Sequence, residues 1–441
     1  YQENQERFEG DKKRAMAHAI SNTISSVVGS SITTVAGFIA LCFMSFTLGK
    51  DLGIVMAKGV VIGVIACVTI LPSMILVCDK LIEKTKHKVI MPDLGRIAGW
   101  ITRHYVVFAI AFVVILVPAL YGYTHTDVYY DLTNTLPETF NSKVGNDKLT
   151  EQFNMGATHM ILADSNLSAK DSMNMIDEIK KVDGVKLAVS LDSITGPSVP
   201  QEMIPDEVKD ELKSGKYQLM LIASEYASAT DEVNAQCDEI NKIIKKYDDS
   251  AMLIGEAPCT KDLIEITDVD FRNVSIISIG AIFIIIAFVF KSISLPIILV
   301  SVIEFAIFIN MGIPAYTGTV IPFIASIVIG TIQLGATVDY AILMTNKYKR
   351  NRSRGMEKKE AITDALEKSI QSILVSALSF FAATFGVGIY SDIDMIGSLC
   401  MLMARGAIIS MIVVAFILPS MLMIFDRIIC ATSAGFRIKN K

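Results

Sequence analysis

One carboxylate lies in the middle of a long apolar run. Asp339 belongs to the segment 320–346, which is long enough to cross a bilayer as a helix and ends at the basic residue Lys347. Asp339 precedes that edge by about eight residues, or roughly 12 Å of helix. An ionised carboxylate at that depth costs about 2.5 kcal/mol or more unless it is paired or hydrated. We predict that Asp339 loads and releases a proton; the alternative is a structural acid locked in hydrogen bonds.

Hydroxyl groups near the same depth are the candidate partners of this carboxylate. Tyr340 follows Asp339 by about 100° of helix, so it cannot share its face, and either pairing with another acid or simple packing fits it. Ser379 lies about 11 residues, roughly 16 Å, beyond Lys368, a depth similar to that of Asp339. Ser376 lies one turn away on the same face. We predict that Ser376 or Ser379 hydrogen-bonds to Asp339 directly or through a water; close packing by small residues is the alternative.

Three further charged side chains fall within apolar runs. Glu304 lies in the centre of the run 294–314, where it is a candidate second proton site or substrate contact. A buried acid bonded to a neighbouring helix is the alternative. Lys58 and Arg405 each precede an aspartate by about 21 residues, or about one hydrocarbon thickness. We therefore expect both basic side chains at the outer rim, extended toward the membrane interface.

The composition predicts a polytopic membrane protein. Of the 441 residues, 52% are hydrophobic and 19% are charged, which is too apolar for a soluble protein. We expect eight helical spans, at about 24–48, 54–78, 104–123, 273–290, 294–314, 320–346, 369–390 and 396–425. Outside residues 124–270, most lysine and arginine residues lie in the terminal segments and in every second loop between the spans. Because basic loops prefer the cytoplasm, residues 124–270 are expected outside the cytoplasm, at the plasma membrane.

Residues 124–270 differ from the rest of the chain. They contain 28 acidic residues, 13 lysines and no arginine, a net charge of −15 that leaves +10 for the remainder. Period-two runs alternate with helical stretches, which predicts one α/β domain. Cys237 and Cys259 lie in this segment, where a disulfide and two free thiols are both compatible with the sequence. The expected strands are 158–163, 185–191, 218–223 and 251–255, and the expected helices are 169–181, 205–212 and 231–246.

The start of the chain resembles its own end. Residues 12–15 match 358–361, and residues 70–74 match 417–421, in the same order and at nearly the same offset. Ser30 and Thr33 then align with Ser376 and Ser379. As for those serines, hydrogen bonding at the charged centre and close packing by small residues are both possible roles. Internal repeats are a common way to build transporters. The counterpart of the central acid would precede the first residue, so we expect the chain to be a fragment that lacks half of its charged centre.

Several of these motifs together resemble the MMPL family of the resistance-nodulation-division (RND) superfamily. They are Gly335-Ala-Thr-Val-Asp339-Tyr340, Ser376-Ala-Leu-Ser379, Ala404-Arg-Gly406 and Leu418-Pro419. The likeness covers essentially the whole chain, although the Glu304 carboxylate is a departure from the family pattern. It implies proton-driven export of lipids, amphiphiles or hydrophobic drugs, by a chain that covers the last eight of twelve spans.

The resemblance also implies a fold. This fold is a polytopic α-helical membrane protein with one extracytoplasmic α/β ferredoxin-like (porter-type) domain. The expected divisions are 1–123 for two spans of the first repeat and one of the second, 124–270 for the outer domain, and 271–441 for the remaining five spans. The expected partners are the lipid bilayer, an amphiphilic or lipid substrate, protons and the missing amino-terminal half, with oligomer formation left open.

Two other membrane functions share this architecture. One is a sensor of the Patched or sterol-sensing type, and the other is a SecD/SecF-like aid to protein secretion. The small outer domain favours transport over the first, and the Asp339-Tyr340 pair favours it over the second. The sequence contains no nucleotide-binding motif, metal-ligand pattern or catalytic triad order. We therefore expect no enzyme activity, no cofactor, no metal and no nucleic-acid partner.

Overall fold

Helices make up most of the chain. The computed structural model describes residues 1–8, 11–85, 94–131, 136–196, 206–434 and 436. The helices within these ranges are α1 Gln2–Arg7, α2 Lys12–Ala40, α3 Thr47–Lys84, α4 Leu94–Arg103, α5 Tyr105–Thr124, α6 Asn141–Phe153, α7 Ala169–Ile179, α8 Leu191–Thr195, α9 Asp206–Leu212, α10 Asp231–Tyr247, α11 Glu256–Phe290, α12 Ser294–Thr317, α13 Phe323–Ser353, α14 Lys358–Tyr390, α15 Asp394–Ile424 and α16 Asp426–Thr432.

Eight helices in the described ranges are long and apolar enough to cross a membrane: α2, α3, α5 and α11 to α15. This confirms the eight predicted spans. Most of them are longer than predicted, because polar turns continue the helix beyond the apolar run. The clearest correction lies between the predicted spans 320–346 and 369–390. There α13 continues to Ser353 and α14 begins at Lys358, so the connection is only a short turn.

The membrane helices and their flanking residues form one compact unit, made of residues 1–128, 269–391 and 395–441. Its core is built mainly by α12, α13 and α15, whose apolar side chains pack on all sides. A close contact joins α5 to α12. A Cβ atom at Gly122 would lie 2.6 Å from the Gly312 carbonyl oxygen, so only glycine permits this approach. Small residues let neighbouring membrane helices pack closely in this way.

The second compact unit comprises residues 129–268 with 392–394. The strands of the described chain are β1 Val128–Tyr129, β2 Thr158–Asp164, β3 Val185–Val189, β4 Lys213–Ser214, β5 Tyr217–Ser224, β6 Met252–Gly255 and β7 Ile321–Pro322. The sheet of the second unit has the order β3-β5-β2-β6, with β4 paired to β5. All of its pairings are antiparallel. Along the chain, these elements follow the order β2-α7-β3-β5-α10-β6.

One face of this sheet carries the core of the second unit. Alternate residues of β2 are buried, and Ile161 is fully enclosed. Helices α7 and α10 cover this face with Met175, Ile176, Ile240 and Ile244. The period-two pattern of the strands and the helical pattern of α7 and α10 therefore meet in a single apolar layer.

The clearest differences between the structure and the predicted elements of the second unit are a shorter strand and an additional helix. The second predicted strand, 185–191, ends at Val189, because Ser190 and Ser193 form a reciprocal capping box that starts α8. Helix α6 was not predicted, since it has no buried residue and therefore no apolar face to reveal it. Cys237 and Cys259 are both free thiols, and burial raises the pKa of the Cys237 thiol to about 11.

Candidate functional site

The central acid lies on the most enclosed helix of the membrane unit. Asp339 is half-buried on α13, and the residues flanking it in this helix are largely buried. Gly335, one turn earlier on the same face, packs against Thr34 of α2, whose hydroxyl lies 3.4 Å from the Gly335 carbonyl oxygen. Thr33 is completely buried beside it. The face of α13 that bears Asp339 therefore borders α2, the first helix of the repeat.

Tyr340 points toward a different helix. Its side chain is buried, and its hydroxyl lies close to the Ser376 hydroxyl of α14. Among the hydrogen bonds of the described residues, none joins Ser376 or Ser379 to the Asp339 carboxylate. The helical rotation of about 100° between the two residues turns Tyr340 toward α14. The predicted contact of Ser376 or Ser379 with Asp339, directly or through a water, stays a prediction.

The other two serines predicted near the acid are Ser379 and Ser30. Ser379 is exposed on the surface of α14. The side chain of Ser30 lies outside the described part of the chain. The roles proposed for both residues stay predictions.

A chain of buried hydrogen bonds links three membrane helices on another side of α13. Asn310 of α12 is fully buried, and its amide nitrogen donates to Gln333 Oε1 at 2.8 Å and to the Leu402 carbonyl at 3.1 Å. Arg405 of α15 donates to Asn310 Oδ1 at 2.9 Å and to its backbone oxygen at 2.7 Å. Every polar atom of the Asn310 side chain is therefore satisfied, as a buried amide requires.

The chain of hydrogen bonds continues toward the central acid. The Gln333 amide donates to Ser410 Oγ at 3.0 Å, and the Thr337 hydroxyl lies 2.8 Å from the same oxygen. Thr337 is two residues before the acid on α13. The network thus extends from Arg405 almost to Asp339, although it approaches from another face of the helix.

Gly406 makes this network possible. A Cβ atom at that position would lie 2.7 Å from the Asn310 amide nitrogen and 2.8 Å from Gln333 Oε1. Any side chain there would displace one of the two amides. The glycine of the Ala404-Arg-Gly406 motif therefore has a packing role that its sequence context did not reveal.

Arg405 is a correction to the sequence analysis. We expected it to extend toward the membrane interface, but its guanidinium turns inward and is held by Asn310. A partner on another helix offsets the cost of leaving the guanidinium inside the unit, so the side chain does not need to reach water. Lys58, predicted to share this behaviour, has an exposed side chain on α3.

Glu304 lies on α12, six residues before Asn310. It lines two cavities, one of about 130 Å³ and one of about 660 Å³. It takes no part in the network of Asn310 and Arg405. The cavities beside Glu304 depend on how the helices pack, so the sequence did not reveal them, and its predicted role as a proton site or substrate contact stays a prediction.

Sequence reasoning did not single out Gln333, Thr337 or Ser410. Each is a polar residue in an apolar run, and a systematic inspection of amides within the predicted spans would have found Gln333. Their importance becomes visible only when α12, α13 and α15 are seen to be neighbours.

The site's arrangement can be compared with known proteins. The model of the MMPL family matches residues 1–119 and 142–435, which is most of the chain. The chain belongs to the MMPL family. Two curated relatives agree with this placement. Putative membrane protein ActII-3 of Streptomyces coelicolor is 22% identical over 448 residues, covering 96% of this chain and 58% of the relative. Putative membrane protein YdgH of Bacillus subtilis is 24% identical over 218 residues, covering 48% of this chain and 23% of the relative.

The fold of this MMPL chain is also seen in a solved structure. The crystal structure of SecDF in its super-membrane-facing form aligns with 97% of the chain at a TM-score of 0.56 and 13% identity. At that identity the likeness concerns the fold alone. The chain spans 52% of the SecDF chain and no more than 58% of either curated relative.

Proposed function

We propose that this chain is part of a proton-driven exporter of lipids, amphiphiles or hydrophobic drugs at the plasma membrane. The observation that carries the proposal is the half-buried Asp339 carboxylate on α13, a helix enclosed by the rest of the membrane unit. A carboxylate at such a position is expensive when ionised, by about 2.5–3.5 kcal/mol on insertion scales. Loading a proton removes that cost and so changes which helix arrangement is favoured.

The surroundings of Asp339 support this coupling. On one side, α2 borders the acid through Thr34 and Gly335. On the next face, Tyr340 and Ser376 connect α13 to α14. A change of charge at Asp339 therefore acts where two helices pack on α13. In this account, proton binding biases two arrangements of these helices, and the substrate moves when one arrangement replaces the other.

The proposal assigns residues 129–268 to the outer side of the membrane. The strand order β3-β5-β2-β6 with two helices on one face supports a ferredoxin-like, porter-type domain. The strong negative charge of this segment and the basic residues elsewhere support an extracytoplasmic location. Such a domain would receive the substrate after it leaves the membrane.

A second function has support from the fold. The likeness to SecDF extends over nearly the whole chain, which favours a SecDF-like role in protein secretion as the alternative. Both functions would use the proton site, so Asp339 alone does not separate them. The nature of the cargo does.

The test uses the full-length protein in proteoliposomes with an imposed pH gradient and a panel of fluorescent amphiphiles. We expect gradient-dependent movement of at least one amphiphile, and a loss of at least tenfold in its rate in Asp339→Asn. Glu367→Gln makes the same chemical change at an exposed position of α14 and serves as the matched control.

Normal gradient-driven movement in Asp339→Asn, with normal folding, would refute the relay. If no amphiphile moves but inner-membrane vesicles that contain the protein translocate a secretory protein faster in an Asp339-dependent manner, the SecDF-like function is the correct one.

A further inference from the structure

Glu304 lies where two cavities of the membrane unit meet. The larger cavity has a volume of about 660 Å³ and the smaller one of about 130 Å³. Glu304, Ile279 and Phe308 line both of them. A single carboxylate therefore faces two chambers of different character, and what it can bind depends on both.

The larger cavity, called the apolar chamber below, is open on one side, because Ile297 and Ile428 of its lining are more than half exposed. Its walls come from α5, α12 and the carboxyl-terminal end of α15, and include Phe112, Leu116, Ile298 and Met421. It follows α12 from Ser294 to Glu304, a distance of about ten residues or roughly 15 Å. Its volume falls within the range of about 300–1,000 Å³ that is typical of ligand pockets. A chamber of this shape and lining suits a hydrocarbon chain.

The smaller cavity, called the polar chamber below, is more polar than the larger one but has a mixed lining. Among apolar residues such as Phe271 and Leu334, it has five residues that carry hydroxyl groups: Tyr123, Ser275, Ser278, Ser326 and Thr331. A volume of about 130 Å³ exceeds the roughly 10–15 Å³ that one water needs, so several waters fit. The Ser278 hydroxyl is buried and has no hydrogen bond to the described residues, which leaves its oxygen available to a donor from the chamber.

The charge of Glu304 is not compensated by the residues around it. The hydrogen bonds and ion pairs of the described residues include none to its carboxylate, and the lining of the two cavities contains no lysine or arginine. Arg405, on the neighbouring helix α15, donates its hydrogen bonds to Asn310. An acid in a membrane interior calls for a positive partner or a proton, and the apolar chamber leads a partner with a hydrocarbon chain directly to it.

We propose that the two chambers bind an amphiphilic amine. The hydrocarbon chain occupies the apolar chamber, and the ammonium group lies against Glu304. The hydroxyls and waters of the polar chamber accept the remaining ammonium hydrogens. This proposal names a substrate class for the transport function proposed above and rests on that function. Binding of the amine can be measured without transport, so the two proposals can fail separately.

The test uses two photoreactive probes that differ in one group. One is a long-chain primary amine with a diazirine in its chain, and the other is the corresponding alcohol. The purified full-length protein is placed in nanodiscs of phosphatidylcholine, and cross-linked peptides are mapped by mass spectrometry. In the wild type, we expect the amine to label peptides of α5, α12 and α15 at a concentration at least tenfold lower than the alcohol does.

Three variants sharpen the result. Glu304→Gln should bring the labelling by the amine down to that by the alcohol, whereas Glu304→Asp should keep most of the preference. Phe308→Ala should weaken labelling by both probes, because it shortens the apolar wall without touching the charge. Equal labelling by the two probes in the wild-type protein would overturn the proposal and identify a bilayer acyl chain as the occupant. An unchanged preference in folded Glu304→Gln would overturn it as well, and the wild-type comparison decides even if that variant fails to fold.

Discussion

Tyr348 donates its hydroxyl hydrogen to the Asp426 carboxylate, 78 residues further along the chain. Tyr1 does the same to Asp79 at 3.0 Å, again across 78 residues. Tyr1 and Asp79 precede Tyr348 and Asp426 by the same number of residues. This shift is close to the offset at which the two ends of the chain resemble each other. The internal repeat is therefore a repeat of contacts as well as of residue types, and it ties the same two helix ends together in each copy.

The contacts of the aspartate are expected to stabilise the second copy of the repeat more than the first. Arg352 donates to both carboxylate oxygens of Asp426 at 3.0 Å in a poorly exposed site. Asp79 has Lys12 instead, a more exposed partner. Asp426→Ala should lower the free energy of unfolding by about 3 kcal/mol, because it leaves a guanidinium and a hydroxyl without an acceptor. Asp79→Ala should cost clearly less, because its partner Lys12 is more exposed to solvent. Thermal unfolding of the purified protein, followed by size-exclusion chromatography, checks this order; equal losses would contradict it.

Gly406 allows a second test, of packing. Gly406→Ala should destabilise the protein by about 1–3 kcal/mol, since the added methyl group has to displace Asn310 or Gln333 from their hydrogen bond. Gly280→Ala is the matched control, because a Cβ atom there meets nothing within 4 Å. The control should be neutral or stabilising by up to about 1 kcal/mol in the same unfolding measurement. A Gly406 variant as stable as the control would show that the network tolerates a side chain.

Tyr340 and Ser376 should behave as a pair. Tyr340→Phe and Ser376→Ala each remove one of two neighbouring hydroxyl groups, so each should shift the pH dependence of proton-coupled transport to a similar extent if the two groups act together. The double variant should shift it no further than either single one. Ser379→Ala, one turn along on the exposed surface of α14, is the comparison for a serine without this contact. Additive shifts in the double variant would mean that the two hydroxyls act separately.

His159 makes the second unit sensitive to acid. It is fully buried on β2, its Nε2 lies 3.1 Å from Gln236 Oε1, and burial lowers its pKa. In the unfolded chain, the histidine has a pKa of about 6.5 and is protonated below that pH, whereas in the folded unit it stays neutral to a lower pH. The folded unit therefore loses stability relative to the unfolded chain as the pH falls below about 6.5.

Amide hydrogen exchange of residues 158–164, expressed as protection factors, measures this effect. Protection should decrease between pH 7 and pH 5 in the wild type and change less in His159→Gln. The same decrease in both proteins would assign the acid sensitivity to other groups.

Hydropathy and charge predicted the parts of this protein that depend on local pattern. The eight spans follow from apolar runs that end in basic residues, and the alternation in β2 and β5 follows from a sheet with one buried face. The position of Asp339 inside a span was also readable, since depth along a helix is a matter of counting. The short turn between α13 and α14 was not, because charged residues at helix ends look like a linker.

The contacts between helices could not be derived in the same way. Arg405 was placed at the rim because a lone arginine in an apolar run extends to water unless another helix supplies an acceptor. Asn310 supplies it, from a span almost a hundred residues earlier. The contact between a serine of α14 and Asp339 was predicted from depth and from the internal repeat, and neither of these reveals that Ser376 also lies close to Tyr340. The depth of a residue in the membrane follows from the sequence, but the helix that its side chain faces depends on which helices become neighbours.

The central claim is that Asp339 binds and releases a proton. The most direct test is an infrared difference spectrum of the reconstituted full-length protein between acidic and alkaline pH. We expect a carbonyl band of a protonated carboxyl group in the wild type that disappears in Asp339→Asn and is retained in the exposed-site variant Glu367→Gln. If Asp339→Asn retains the full band, the titrating group lies elsewhere, and the account of Asp339 as the proton carrier is wrong.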